Sequence, residues 1–359
     1  MLLLLRSTII GLLLVASFTT ARETNRSPHA VILQYHHISD TTPPSTSVSP
    51  AVFKQHMDYL EQQGFHILSL THITKALQEK TQLPDKTVAI TFDDAFRNIY
   101  THAYPILKTK NWPFTVFINT EPVDKEYGLF LNWQQLQEMG KNGATLANHS
   151  VTHNHLVTQL PDETEALWLQ RIQDEITTAE ARILKKTGQS AKHFAWPFGE
   201  TRPPLRNLLT KMGYIGLGQQ SGAAGIWSDM TKLPRYPMAT PYAGMADFRL
   251  KINSLPLPIK QVSPDSSLIT SLKNPPILTL LLDEGQFQKN QLRCYASDQG
   301  NIPVTWQDKA QKQFSTRATK PLSVGRSRYN CTAPDFSGKR YFWYSFHWLR
   351  LTPEGKAVD

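Results

Sequence analysis

The sequence predicts an α/β protein, a barrel of β/α units followed by a small all-β, sandwich-like C-terminal domain. Three observations carry this. Short apolar or β-branched runs alternate with amphipathic stretches, and the short connections between them mean a parallel sheet long enough to close. After Val262 the helical periodicity vanishes and short strands alternate with turns. Residues 88–92 (Val-Ala-Ile-Thr-Phe) read as a buried strand that ends on two carboxylates, Asp93 and Asp94. In parallel α/β folds that end of a strand is where reactive groups stand.

The first strand is expected over residues 30–35. Ser49-Pro50 then opens a helix to residue 63, with Phe53, Met57 and Leu60 at helical spacing and Gly64 as its stop. A strand at 65–68, a helix at 71–79, the strand at 88–92, a helix at 104–110, a strand at 115–119 and a helix at 133–142 follow. The longest helix is predicted over 162–186, where Leu169, Ile172, Ile176, Ala179 and Ile183 share a face and Gly188 ends it. A strand at 193–196, a helix at 206–212 and a strand from 214 continue the pattern. Residues 255–267 are rich in Pro and Ser and read as a linker, with sandwich strands at 277–282, 292–296 and 340–346. The division is a signal peptide at 1–21, a catalytic domain at 28–263 and a β-rich accessory domain at 268–359.

The signal-peptide reading rests on Arg6, the apolar run of residues 7–18 and the small residues Thr19-Thr20-Ala21. It places the protein outside the cell, in the periplasm or in the cell envelope. In that setting the two cysteines, Cys294 and Cys331, read as one disulfide. The chain carries a net charge of +9, and residues 268–359 hold 13 Lys/Arg against 7 Asp/Glu. A basic tail suits an anionic envelope polymer or simply a solubilising surface, and export excludes nucleic acid as its partner.

The chemistry comes from two runs. Asp94, His149 and His153 offer one carboxylate and two imidazoles, a three-ligand set for a divalent metal that leaves positions open for water and substrate. Asp93 is then free to act as a base. An Asp-Asp pair is more often a turn or a cap, but this pair follows a buried strand and the histidine pair accompanies it. Zinc suits this set best, with cobalt or nickel as substitutes.

Thr91-Phe92-Asp93-Asp94, His149-Ser150-Val151-Thr152-His153 and Trp196-Pro197-Phe198-Gly199 resemble, in order, the three motifs of the polysaccharide deacetylases, the NodB-homology group or carbohydrate esterase family 4. The resemblance covers roughly residues 30–263. It implies an irregular barrel of about seven β/α units and hydrolysis of acetamido groups on an N-acetylated polysaccharide. Asp93 would be the base, Asp94, His149 and His153 the metal ligands, and the Phe198 backbone N–H an oxyanion donor. Trp196 and Trp133 would wall the acetyl pocket. Many relatives carry an arginine two residues before the motif proline, where this chain has Ala195, and Arg235 is the candidate to replace it. The family's late histidine motif is missing too. Tyr35-His36-His37 at the end of the first strand resembles the early motif of the poly-N-acetylglucosamine deacetylases, which makes His36 the expected general acid, with His37 as its neighbour. His155 reads as structural.

The favoured substrate is an exopolysaccharide containing N-acetylglucosamine, with peptidoglycan or chitin oligosaccharides as alternatives. A binding protein with a dead esterase domain and a non-haem iron oxygenase are the competing classes. Intact Asp93, Asp94, His149 and His153 oppose the first, and the β/α pattern opposes the second. Trp306, Tyr341, Trp343, Tyr344 and Trp348 in the tail read either as sandwich core or as a sugar-stacking platform.

Overall fold

The structure, a computed structural model, describes residues 27–269 and 273–358. The expected signal peptide lies outside the described residues. Six parallel strands, β1 (His29–Tyr35), β2 (Thr87–Phe92), β3 (Phe114–Ile118), β4 (Ala144–Asn148), β5 (His193–Ala195) and β6 (Ile215–Leu217), follow one another in space as they do in sequence. Both faces are covered, so the strands are buried almost throughout. Their period of two divides the core. Ile32, Ala89, Phe117, Ala147, Ala195 and Leu217 cluster together, while Leu33, Ile90, Val116 and Leu146 pack in the cluster of the outer helices.

The ring closes through a short segment. Leu233 bridges Leu217 of β6, and β7 (Tyr236–Pro237) pairs in parallel with Leu33 and Gln34 of β1. Residues 233–237 therefore lie between the two ends of the sheet, giving the irregular seven-stranded barrel that the sequence predicts. Arg235 sits in the middle of this seam.

The barrel helices are α1 (Pro50–Gln62), α2 (Leu70–Glu79), α3 (Tyr104–Thr109), α4 (Thr120–Asp124), α5 (Trp133–Lys141), α6 (Glu165–Thr187), α7 (Pro203–Lys211) and α8 (Met245–Ile252). In α6 the Thr164 hydroxyl accepts from the Leu167 N–H, Gly188 closes the last turn in the left-handed region, and Trp168, Ile172, Ile176, Ala179 and Ile183 are buried. Two helices were not expected from the sequence. α4 is a single turn containing Pro122, and α8 has no clear apolar stripe, burying Phe248, Ile252 and the Lys251 stem together.

The C-terminal domain pairs two sheets. β8 (Leu255–Pro256), β9 (Ile259–Ser263), β10 (Leu268–Ile269), β11 (Ile277–Leu282), β12 (Arg293–Ala296), β13 (Gly300–Ile302), β14 (Val304–Trp306), β15 (Gln313–Arg317), β16 (Gly325–Pro334) and β17 (Tyr341–Arg350) sort into the orders β8-β17-β16-β12-β13, with β10 also on β17, and β9-β11-β15-β14. This corrects the expected linker, because residues 255–263 supply an edge strand to each sheet. Pro256 and Pro258 made the stretch read as a loop, yet an edge strand tolerates proline because one side of its ladder is free. Cys294 and Cys331 face each other in register on β12 and β16 and are joined by a disulfide.

Trp348 is buried in the sandwich core, Tyr344 and Trp306 pack against that core, and Trp343 meets Tyr236 of the barrel edge to face with ring centroids 5.5 Å apart. These aromatics are core and domain junction; only Tyr341 of the five is exposed.

Candidate active site

Apart from Arg235 in the seam, the candidate side chains emerge where barrel strands end. His36 follows β1, Asp93 and Asp94 follow β2, His149 follows β4, and Trp196 to Gly199 follow β5. Asp94, Ala95, Ser150, His153 and Phe198 all have left-handed backbones, with φ between 55° and 69°. Non-glycine residues rarely adopt that region, at a cost of about 1–3 kcal/mol each. Five such residues in three neighbouring turns mark a place where the fold holds the backbone bent to aim side chains.

Asp94, His149 and His153 come together as the sequence predicts. Both histidine Nε2 atoms lie 3.3 Å from Asp94 Oδ1, and all three ligand atoms lie within 4.8 Å of one another. Atoms bound tetrahedrally about 2.1 Å from an ion stand about 3.4 Å apart. Asp94 Oδ1 and His149 Nε2 are buried without a hydrogen-bond partner among the described residues. The His149 Nδ1–H donates to the Ala195 carbonyl at 2.7 Å, which fixes the tautomer and turns the Nε2 lone pair toward Asp94. Ligand type, spacing and orphaned atoms therefore fit a divalent metal. Burial opposes ionisation of Asp94, but the imidazoles around it, His149 first and then His153 and His36, outweigh it and hold the carboxyl below its ordinary range. Burial pushes the His153 imidazole down to about 4, so it is neutral and able to ligate at neutral pH.

Asp93 has the opposite surroundings. It is fully buried, and Arg235 donates to both of its oxygens, Nη1 to Oδ1 at 2.7 Å and Nη2 to Oδ2 at 2.8 Å. The Arg235 Nε–H donates to the Gly218 carbonyl at 2.8 Å, and Gln34 Nε2 adds a 2.6 Å bond to Oδ2. Burial alone would raise the carboxyl, yet the charges of Arg235 and His149 hold it below its ordinary range. Ala195 could not supply this charge, and the seam brings Arg235 in from the other side.

The two early histidines part company. His36 lines the cleft beside Asp94 and His153. His37 is buried, stacks on Phe96 at 3.6 Å and bonds through Nδ1 to Asn98, and burial followed by the His36 charge pushes it down to about 4.

Phe198 lines the cleft, and among the described residues its N–H has no backbone acceptor. His155 stacks on its ring at 3.9 Å and is tied to Glu200 at 2.8 Å, a supporting position. Neither tryptophan expected on the pocket wall lines the cleft. Trp196 is fully buried beside Phe194, with its indole N–H on the Thr231 carbonyl. It follows a core strand, and alternation turns its side chain into the packing. Trp133 opens α5 and donates to Asp124 at 2.7 Å.

Three supports were missed in the sequence. Besides Gln34, Glu175 on α6 accepts from the Val151 and Thr152 N–H groups, and Asn148 accepts from the Ser150 N–H, so together they hold the histidine loop. A buried polar residue inside an apolar strand, as at Gln34, was the available signal. Glu175 had none, since it stands among other polar residues on a long helix.

Fold and site define a barrel hydrolase centred on a carboxylate–histidine cluster beside an arginine-held carboxylate. Residues 80–216 match the family model described as polysaccharide deacetylase. The chain is 25% identical over 247 residues to the poly-β-1,6-N-acetyl-D-glucosamine N-deacetylase of Escherichia coli K12, covering 58% of this chain and 36% of that protein. It is 29% identical over 174 residues to the enzyme of the same name from Staphylococcus aureus N315, covering 46% and 59%. The alignment thus spans roughly a third to three fifths of these curated relatives. Among solved structures, the Streptococcus pyogenes deacetylase PplD in complex with acetate matches with a TM-score of 0.57 at 23% identity, over 63% of this chain and 99% of that one. IcaB from Ammonifex degensii matches with a TM-score of 0.53 at 21% identity, over 62% and 97%. These structural likenesses concern the fold.

Proposed function

We propose that this protein is an exported, metal-dependent polysaccharide N-deacetylase that hydrolyses acetamido groups of an N-acetylglucosamine-containing polymer. The observation that carries the reading is the contrast at residues 93 and 94. One carboxylate joins two histidines in an open three-ligand cluster, and its neighbour is held ionised by Arg235. The names of the Escherichia coli and Staphylococcus aureus relatives favour an exopolysaccharide over peptidoglycan or chitin.

Asp94, His149 and His153 would hold the ion, with zinc favoured by the ligand set and spacing. A bound divalent cation would polarise the acetamide carbonyl and acidify the attacking water. Asp93 accepts the proton of that water. Arg235 and Gln34 keep its carboxylate charged and aimed. The Phe198 N–H stabilises the oxyanion. His36, on the open side of the cleft, delivers a proton to the departing amine, so that acetate and a free amino sugar leave.

The test is acetate release from N-acetylglucosamine oligomers, from chitin oligosaccharides and from peptidoglycan, after chelation and zinc add-back, with Asp93→Asn alongside. Zinc-restored release that Asp93→Asn abolishes is expected. Firm zinc binding with no release from any glycan would sink the enzymatic reading and favour a binding role.

A further inference from the structure

The cleft is not built by the barrel alone. It encloses about 640 Å³, and one side of it is the outer face of β16 and β17 in the C-terminal sandwich. Along β16 the period of two turns Arg326 and Arg328 to that side, and His347 on β17 stands opposite Arg328 in register. Arg326 anchors the wall, donating from Nη1 to the Phe198 carbonyl at 3.1 Å, with its guanidinium 5.3 Å from the Phe198 ring centroid. Arg328 is half-buried, and its side chain makes no hydrogen bond or ion pair among the described residues.

The groups that feel Arg328 are His347, which burial and then Arg328 and Arg326 push down to about 3, and Lys251, which burial pushes to about 8 with Arg328 adding to the effect. The one carboxylate lining the cleft among the described residues is Asp94, already assigned to the metal. A half-buried guanidinium such as Arg328, with no acid partner among the described residues, costs free energy. A deacetylase acting on a neutral polymer produces amines, and such a product would be repelled by this wall. The arrangement makes sense if the glycan itself brings the negative charge.

We infer that the sandwich wall of the cleft is an oxyanion subsite, centred on Arg328, for an acidic substituent on the glycan beside the residue being deacetylated. A guanidinium fork suits a carboxylate or a phosphate. This rests on the N-deacetylase reading and narrows it to acidic, N-acetylated glycans.

The experiment uses the full chain loaded with zinc. Three matched oligosaccharides are compared: a neutral N-acetylglucosamine oligomer, one alternating with a carboxylate-bearing sugar, and one bearing phosphate. Acetate release and calorimetric binding are both read. Wild type is expected to prefer one of the acidic glycans by about tenfold in kcat/KM, with the preference shrinking as salt rises. Arg328→Gln lowers the ratio of acidic to neutral kcat/KM about tenfold, and Arg328→Lys recovers part of it. Reducing the carboxylate to an alcohol removes the preference of the unaltered protein, so no variant need fold for this arm. A wild type without preference, or a ratio that Arg328→Gln leaves alone, overturns the subsite and leaves the deacetylase reading standing. Binding that favours the acidic glycan and depends on Arg328, without acetate release, keeps the subsite and overturns the deacetylase. Neither binding nor release overturns both.

Discussion

The two walls of the cleft handle charge in opposite ways. On the barrel wall Asp93 has Arg235 and Gln34, Asp94 has two imidazoles, and His149 has the Ala195 carbonyl. On the sandwich wall Arg328 lines the cleft with no side-chain partner among the described residues. Paired charge fixes geometry, because each group has one low-energy arrangement. Unpaired charge reads the incoming molecule. The barrel therefore sets which bond breaks, and the sandwich sets which glycan arrives.

Removing the base should give the largest effect. Asp93→Asn is expected to cut acetate release by about 1,000-fold while bound zinc, measured by atomic emission, is retained; loss of zinc would mean that residues 93 and 94 do not divide their roles as assigned. Arg235→Ala should cost about 100-fold in kcat and several kcal/mol of stability, because it leaves a buried carboxylate without its cation. Arg235→Lys should restore little, since one ammonium cannot replace a two-point fork. If Arg328→Gln reduced turnover of the neutral oligomer as severely as Arg235→Ala does, the division between the walls would fail.

Smaller effects on turnover are expected away from the cleft. Cutting the disulfide with Cys294→Ser and Cys331→Ser should lower the stability of the sandwich by about 4 kcal/mol on chain-entropy grounds, read by denaturant titration. On the barrel side, fully buried His56 has its imidazole pushed down to about 4 by burial. Because the folded value lies below the unfolded one of about 6.5, the unfolded chain takes up the proton first. The stability associated with His56 is complete above that unfolded value and drains away as pH falls toward 4, by roughly 1 kcal/mol per unit. Melting temperatures followed from pH 7 to 4 should fall, and His56→Gln should flatten the slope; an unchanged slope would move the effect to other buried histidines.

Much of the barrel was legible because its information is local. Val88 to Phe92 announces a buried strand, and the apolar spacing of Ile172, Ile176, Ala179 and Ile183 with Gly188 announces the longest helix. The cluster of Asp94, His149 and His153 was legible because its residues occur in runs whose spacing carries the chemistry. What escaped depends on distant partners. Gln34 and Glu175 gain meaning only from Asp93 and the Val151 N–H, far off in sequence. Trp196 and Trp133 were placed on the pocket wall because resemblance reports a residue's neighbourhood and not the side to which its ring turns. The proline-rich strands at 255–263 were hidden because edge pairing asks little of the sequence.

The seam segment has one further consequence. Residues 233–237 are the last piece of the ring to leave the ribosome, and they carry the guanidinium that holds Asp93. Until that segment docks, the barrel is open and its base has no cation. On the proposed function, ring closure and the pairing of Asp93 come from one segment, so that hydrolysis would report that the barrel has closed.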